Sequence, residues 1–258
     1  MHKLLSLQVL CAFCRSDLDT GGEVFYPPYT RLGDAFYLKG GTALCPECLD
    51  QLGFFNSQFP PKDPLLPREM TQVISPLSYK NYAKELIIRF KYGGERDLAD
   101  CFGKLMTYQL MAHQETESRV FSKVKSLFMG LPYDTIVPVP LSRDRLIERG
   151  YNQADLLARV IARETGIPQH NLVERRVHTD PLKEQSPQER AQSLAGAFFM
   201  SPGYESLEEY REISRILIVD DIYTTGATTK EMARILGLAG CKTVSVLTIA
   251  RQSGKKEG

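Results

Sequence analysis

A chain of 258 residues with 43% apolar and 24% charged side chains is long enough for one or two globular domains and apolar enough to give them cores. A formal net charge of +1 excludes a protein whose whole surface grips a polyanion, so any nucleic-acid surface must be local. No apolar run reaches the ~18 residues that a membrane-crossing helix needs, and the expected setting is the cytoplasm, where thiols stay reduced.

The run Met1 to Leu10 holds one lysine and a short apolar stretch but no small-residue cleavage site, and reads as the start of a fold. Two C-x-x-C knuckles follow, Cys11-Ala-Phe-Cys14 and Cys45-Pro-Glu-Cys48. Two intervening residues let the backbone turn so that both sulfurs aim at one point, and two knuckles supply four thiolates for a tetrahedral Zn²⁺. The 30 residues between the knuckles exceed the usual ribbon spacing. They contain Gly21-Gly22, Pro27-Pro28 and Gly40-Gly41 among β-favouring aromatics, and a hairpin there would close the gap. A redox pair and unrelated buried cysteines are the competing readings. Two pairs inside a region too small for a robust core favour structural metal. Five bases against seven acids in residues 1–66 point this module to a structural role or to protein contacts. Cys101 and Cys241 stand alone in apolar segments and read as small core residues.

Phe59-Pro-Pro-Lys-Asp-Pro-Leu-Leu-Pro67 can be neither helix nor central strand and reads as a linker. It divides the chain into a zinc-binding module with its linker, 1–66, and a second domain, 67–258. Past it, Val73 to Leu77 is predicted as a strand. Tyr79 to Lys91 has helical periodicity, with Tyr82, Leu86 and Phe90 on one face and Gly93-Gly94 as the stop. A second helix is predicted over Asp97 to Ala112, a short strand over Thr135 to Val139, and a helix over Asn152 to Glu164 with Leu157, Ala158 and Ile161 inward. Leu172 to Val177 and Arg215 to Val219 read as strands, Thr228 to Leu238 as a helix and Thr243 to Ala250 as the last strand. Strands alternating with helices predict an α/β fold whose central parallel sheet is covered on both faces.

The most informative segment is Ile216-Leu-Ile-Val219, then Asp220-Asp221, then Ile222-Tyr223, then Thr224-Thr-Gly-Ala-Thr228. A buried strand delivers the chain to the edge where ligands bind in open α/β sheets. Adjacent carboxylates there repel each other, and make sense if they accept hydrogen bonds from a vicinal diol or face Mg²⁺. Thr224, Thr225, Gly226, Ala227 and Thr228 then form a hydroxyl-rich loop that opens a helix. Its free N–H groups and the helix dipole attract an anion, and Gly226 lets the backbone approach closely. A diol-binding acid pair followed by a phosphate cradle describes ribose 5-phosphate.

The same segment resembles the signature of type I phosphoribosyltransferases. The resemblance assigns Asp220 and Asp221 to the ribose hydroxyls and Thr224 to Thr228 to the 5-phosphate, and implies phosphoribosyl pyrophosphate with Mg²⁺ as the ligand. Purine-salvage members commonly carry an aspartate where Thr224 stands, so a purine base is not expected. Phe90-Lys-Tyr-Gly93, Val137-Pro-Val-Pro-Leu141, Arg149-Gly-Tyr-Asn-Gln-Ala154 and Gln185…Arg190…Gly196-Ala-Phe198 resemble the ComF family, over nearly the whole chain. Ser193 departs from the asparagine expected in many members. That resemblance implies a four-cysteine module before a type I phosphoribosyltransferase-like domain. It also implies a role in DNA uptake during natural transformation, with single-stranded DNA and other DNA-uptake proteins as partners.

Three further clusters stay open at this point. Arg143, Arg145 and Arg149 follow the Val-Pro-Val-Pro strand, where related transferases bind pyrophosphate, yet five arginines and five acids between Asp134 and Glu164 equally fit a solvated, ion-paired face. His178 to Arg190, with Pro181 and Pro187, suits either a lid or a plain surface loop. Lys80, Lys84 and Lys91 share one arc of a helix and are candidates for nucleic-acid contact or for a solvated face. No residue is assigned as catalytic. The expected function is donor binding within DNA uptake, with active phosphoribosyl transfer to an unknown acceptor or non-catalytic sensing of the donor as alternatives.

Overall fold

The computed structural model describes residues 9–18, 30–32, 35–38, 42–54, 70–121, 131–175, 196–204 and 213–252. The proline-rich stretch 59–67, the loop 178–190, Ser193 and the glycine and proline pairs between the knuckles lie outside the described residues.

A parallel sheet organises the larger part of the chain. Its strands are β6 (Met70–Ile74), β7 (Leu77–Ser78), β8 (Thr135–Pro138), β11 (Arg215–Tyr223) and β12 (Thr243–Arg251). The order is β6-β12-β11-β8, and β7 pairs with the far end of β12 on the β6 edge. Residues of β11 alternate between two apolar layers, as the two-residue strand period requires. Leu217 and Val219 enter the layer with α2 (Asn81–Tyr92), α3 (Leu98–Phe121) and α5 (Gln153–Thr165). Ile216 and Ile218 enter the opposite layer with α6 (Ala227–Leu238) and the antiparallel pair β9 (Val173–Arg175) and β10 (Phe198–Met200). Cys101 is buried in the first layer and Cys241 in the second. Gly103 brings α3 against α5 so closely that a Cβ there would stand 2.6 Å from Val160.

Several elements differ from the sequence-based expectation. The first strand runs Met70–Ile74 and breaks before Pro76, which has no N–H to give a ladder; Leu77 belongs to a separate short strand. The second helix continues to Phe121, nine residues past Ala112. The segment around Val173 joins β10 outside the central sheet. Strand β11 does not end at Val219, because β12 pairs with it as far as Tyr223↔Arg251, whereas β8 stops pairing at Val219↔Pro138. The helix over Gln153–Thr165 is as expected, capped by Asn152 at one end and by Gly166 at the other.

The N-terminal part is built from β1 (Val9–Leu10), β2 (Asp17–Leu18), the meander β3 (Thr30–Leu32), β4 (Ala35–Leu38) and β5 (Thr42–Leu44), and the short helix α1 (Pro46–Gln51). Among the described residues its buried apolar side chains join the core of the larger part. Phe13, Leu44 and Leu52 belong to the layer that holds Phe90 and Phe102, with Phe13 and Phe102 ring centres 5.3 Å apart. Lys104, only 4% exposed, binds Asp100 at 2.6 Å and Thr42 at 2.6 Å, tying α3 to β5. Among the described residues no helix is long and apolar enough to cross a membrane.

Candidate functional site

The four cysteines of the knuckles converge, with their sulfurs all within 4.8 Å of one another. The meander closes the long gap that separates them in sequence. Cys11 bridges to Ala43, Ala12 N–H donates to the Ala43 carbonyl at 2.8 Å, and Cys45 follows at the end of β5. Cys45 caps α1, and its sulfur accepts the Cys48 N–H at 3.4 Å; the Cys11 sulfur accepts the Cys45 N–H at 3.4 Å. Amides aimed at sulfur suit thiolates. Burial pushes the Cys45 thiol up to about 11, and a bound cation would favour its thiolate. Tetrahedral Zn–S bonds of ~2.3 Å set sulfurs ~3.8 Å apart, and Cys14 and Cys45 lie at 3.6 Å. The donor set therefore fits a tetrahedral thiophilic ion.

The second site lies at the carboxyl ends of the parallel strands. Strand alternation slips by one across Asp220-Asp221: Val219 and Ile222 pack on the α2 side, Ile218 and Tyr223 on the α6 side. The acid pair occupies the slip, beyond the point where β8 has ended. Burial, then the neighbouring Asp221 charge, push the Asp220 carboxyl up to about 7, against the pull of the Asp221 N–H, Lys91 and Arg149. Asp220 Oδ1 accepts that N–H at 2.8 Å. Next comes the loop. Gly226 has φ +71°, and a Cβ on it would run into the Tyr223 ring, so the turn into α6 excludes any other residue on two counts. No side chain caps α6 at Gly226; Thr225 Oγ1 accepts the Ala227 N–H at 3.4 Å, and Thr224 and Thr225 are exposed at the rim. The helix start thus presents donors and the positive end of its dipole beside two carboxylates.

Cations surround the pair. Lys91 Nζ lies 2.8 Å from Asp221 Oδ1, with side chains only 16% and 13% exposed, so this is not a solvated surface contact. Lys80 and Lys84 are exposed at the other end of α2, which separates them from Lys91. Arg143 and Arg145 are exposed on α4 (Arg143–Arg149). Arg149 is half-buried, donating to Gln153 Oε1 and to the Tyr92 hydroxyl at 3.0 Å each. Sequence reasoning missed Arg175, which lies over the Phe198 ring at 5.4 Å, has its charge disfavoured by burial and by Arg145, and has it favoured by Asp220. Nothing in the isolated run Val173-Glu-Arg175 marks it.

The motif Arg149-Gly-Tyr-Asn-Gln-Ala154 is a latch between β8 and α2. Asn152 Nδ2 donates to the Val139 carbonyl at 3.0 Å and Oδ1 accepts the Ala154 N–H. The Tyr151 hydroxyl donates to the Phe90 carbonyl and Gln153 Nε2 to that of Lys91, satisfying acceptors that the end of α2 would leave open.

Comparison with known proteins bears on this geometry. Residues 149–257 match the family model described as "Phosphoribosyl transferase domain". The chain is 31% identical over 191 residues to "Competence protein ComFC" of Bacillus subtilis, covering 74% of this chain and 67% of that one. This chain belongs to the ComF family. It is also 38% identical over 119 residues to "Competence protein F" of Haemophilus influenzae, 46% of this chain and 50% of the relative. Identity to "DNA utilization protein YhgH" of Salmonella typhi is 28% over 259 residues, 96% and 99% of the two. The matched segments thus span half of the Haemophilus protein and nearly all of the Salmonella one. As a ComF member the chain joins a phosphoribosyltransferase-type α/β domain to a four-cysteine cluster.

Proposed function

We propose that the chain binds phosphoribosyl pyrophosphate, or the ribose 5-phosphate group of a larger ligand, at Asp220, Asp221 and Thr224 to Thr228, as part of DNA handling during uptake in the cytoplasm. One observation carries the reading: the acid pair sits in the slip of β11 shortly before a helix whose N-cap, Gly226, brings no side chain to the helix start. Two carboxylates at one edge match a vicinal diol, and the N–H groups and hydroxyls beside them match a phosphate dianion. Asp220 and Asp221 are the residues that would face Mg²⁺ bound with the donor, and the ion would supply positive charge to offset the pyrophosphate. The relatives' names place them in competence and DNA utilization, which supports the process. Exposed Lys80 and Lys84 are the surface this reading offers to single-stranded DNA, and binding of a labelled strand should weaken as salt rises.

Calorimetric titration with phosphoribosyl pyrophosphate and Mg²⁺ tests the pocket. The wild type should bind, and the double variant Asp220→Ala, Asp221→Ala should lose the affinity while the domain stays folded. Equal binding by the double variant defeats the reading. A second reading, transfer of the phosphoribosyl group to an acceptor, draws on the transferase-domain match; release of inorganic pyrophosphate in the presence of candidate acceptors separates it from binding alone.

We assign Cys11, Cys14, Cys45 and Cys48 to one structural Zn²⁺. Because the knuckles share a core with α2 and α3, the ion contributes directly to folding of that layer. Protein purified without added metal should contain about one zinc per chain, and Cys45→Ser should lose it. Absence of zinc from the wild type, or unchanged content in the variant, removes the assignment.

A further inference from the structure

We propose that Lys91 is a ligand-binding cation of the pocket: it neutralises Asp221 and, when the ribose diol claims that carboxylate, its ammonium turns to the donor's pyrophosphate. The inference rests on the donor reading above and names a residue for a part of the ligand that the acid pair and the threonine loop leave unheld.

Placement is the first argument. α2 buries Ala83, Leu86, Ile87 and Phe90 in the layer beneath the sheet, and Lys91 follows beside that stripe. A lysine there ordinarily extends its ammonium to water. Lys91 instead turns inward to the sheet edge, where its ammonium is largely enclosed against Asp221. The C-terminal end of α2 favours a cation, so the ammonium is tolerated near that end without the carboxylate as sole partner.

Backbone anchoring is the second. The Phe90 carbonyl is held by Tyr151 and the Lys91 carbonyl by Gln153, and Arg149 grips the adjacent Tyr92 through its hydroxyl while lying 4.9 Å from the ring centre. Two side chains of one hexapeptide thus hold the Phe90 and Lys91 carbonyls, and a third holds the Tyr92 side chain. A solvated lysine has no need of this; a lysine whose reach must be set does.

Position along the ligand is the third. The anchoring segment directly follows α4, the carrier of Arg143, Arg145 and Arg149. Lys91 contacts Asp221 directly, and Arg149 at the end of α4 contacts Tyr92, the residue next to Lys91. Both Lys91 and Arg149 act electrostatically on Asp220. One ammonium cannot neutralise two carboxylates, and the flexible lysine stem lets it leave Asp221 for a denser anion nearby, which the braced Arg149 cannot do as readily.

The test compares two ligands that differ by the pyrophosphate. Full-length wild type, Lys91→Met and Lys91→Arg are titrated with phosphoribosyl pyrophosphate plus Mg²⁺ and, separately, with ribose 5-phosphate. Lys91→Met should weaken phosphoribosyl pyrophosphate by about 10-fold or more, the loss expected for one charge-assisted contact, and ribose 5-phosphate by less than about 3-fold. Lys91→Arg should recover most of the lost affinity. Retained ribose 5-phosphate binding also shows that the methionine variant is folded. An equal loss for both ligands makes Lys91 a counter-ion of the acid pair only and overturns the inference, as does undiminished phosphoribosyl pyrophosphate binding by Lys91→Met. Wild type that binds neither ligand removes the pocket reading, and this inference with it.

Discussion

Strand β11 begins beside one aspartate and carries another towards its far end, and the two are held in opposite ways. Asp134 meets the start of the strand. Its Oδ2 accepts the Ser214 N–H at 3.0 Å and the Arg215 N–H at 2.8 Å, while the Arg215 guanidinium lies 2.6 Å from Oδ1. The guanidinium, opposed by some burial and helped by the two amides, pulls the Asp134 carboxyl down to about 2. At the other end, burial and Asp221 push Asp220 up to about 7. Each carboxylate flanks the same ladder, yet one is supplied with donors by its own chain and the other is crowded by a second carboxylate. A satisfied charge closes a structure; an under-satisfied one at a sheet edge waits on a ligand.

Breaking the satisfied end should cost the most stability. Asp134→Ala leaves two backbone N–H groups and a guanidinium without their acceptor, a cost of about 1–3 kcal/mol in urea unfolding. Because the folded carboxyl lies below its ordinary 3.8, its contribution is complete above pH 4 and is lost as pH falls towards 2. Phosphoribosyl pyrophosphate affinity should not change, since the site lies at the opposite end of β11. A variant that unfolds no more easily than wild type at neutral pH, or that binds the ligand poorly while folded, would erase the contrast.

How far this contrast was legible in the sequence depends on distance along the chain. Ile216 to Thr228 announced its strand, carboxylates and phosphate loop because all are consecutive, and Asn152 and Gly166 announced a helix because caps are local. The cysteine pairs declared themselves by spacing. The partners of the acid pair did not: Lys91 and Asp221 are 130 positions apart, and only the packing of α2 beneath the sheet brings them together. Helix α4 was missed because none of its residues is buried, so it carries no apolar period. The extension of α3 past Ala112 runs through polar helix formers, again without an apolar repeat. The pairing of β9 with β10 crosses more than twenty residues and leaves no short-range hairpin signal.

The smaller effect lies at the crowded end and has the opposite sign. Asp220→Asn keeps an oxygen to accept the Asp221 N–H but removes the buried charge. The folded carboxyl titrates near 7 against an ordinary 3.8, so the folded protein holds a proton that the unfolded chain has released. The contribution of Asp220 to wild-type stability then falls as pH rises from about 4 to about 7 and levels off above it. The asparagine variant lacks that slope. Its melting temperature should match wild type near pH 4, where Asp220 is neutral, and exceed it at pH 8, by about 2–4 °C for each kcal/mol relieved. The same substitution should weaken phosphoribosyl pyrophosphate, because an amide offers the diol a poorer acceptor. A change that steadies the fold and spoils the ligand is the signature of a residue retained for binding. Melting curves of the two proteins that stay parallel from pH 4 to pH 8 would show that Asp220 is as comfortable in the fold as Asp134, and the distinction between the two ends of β11 would be lost.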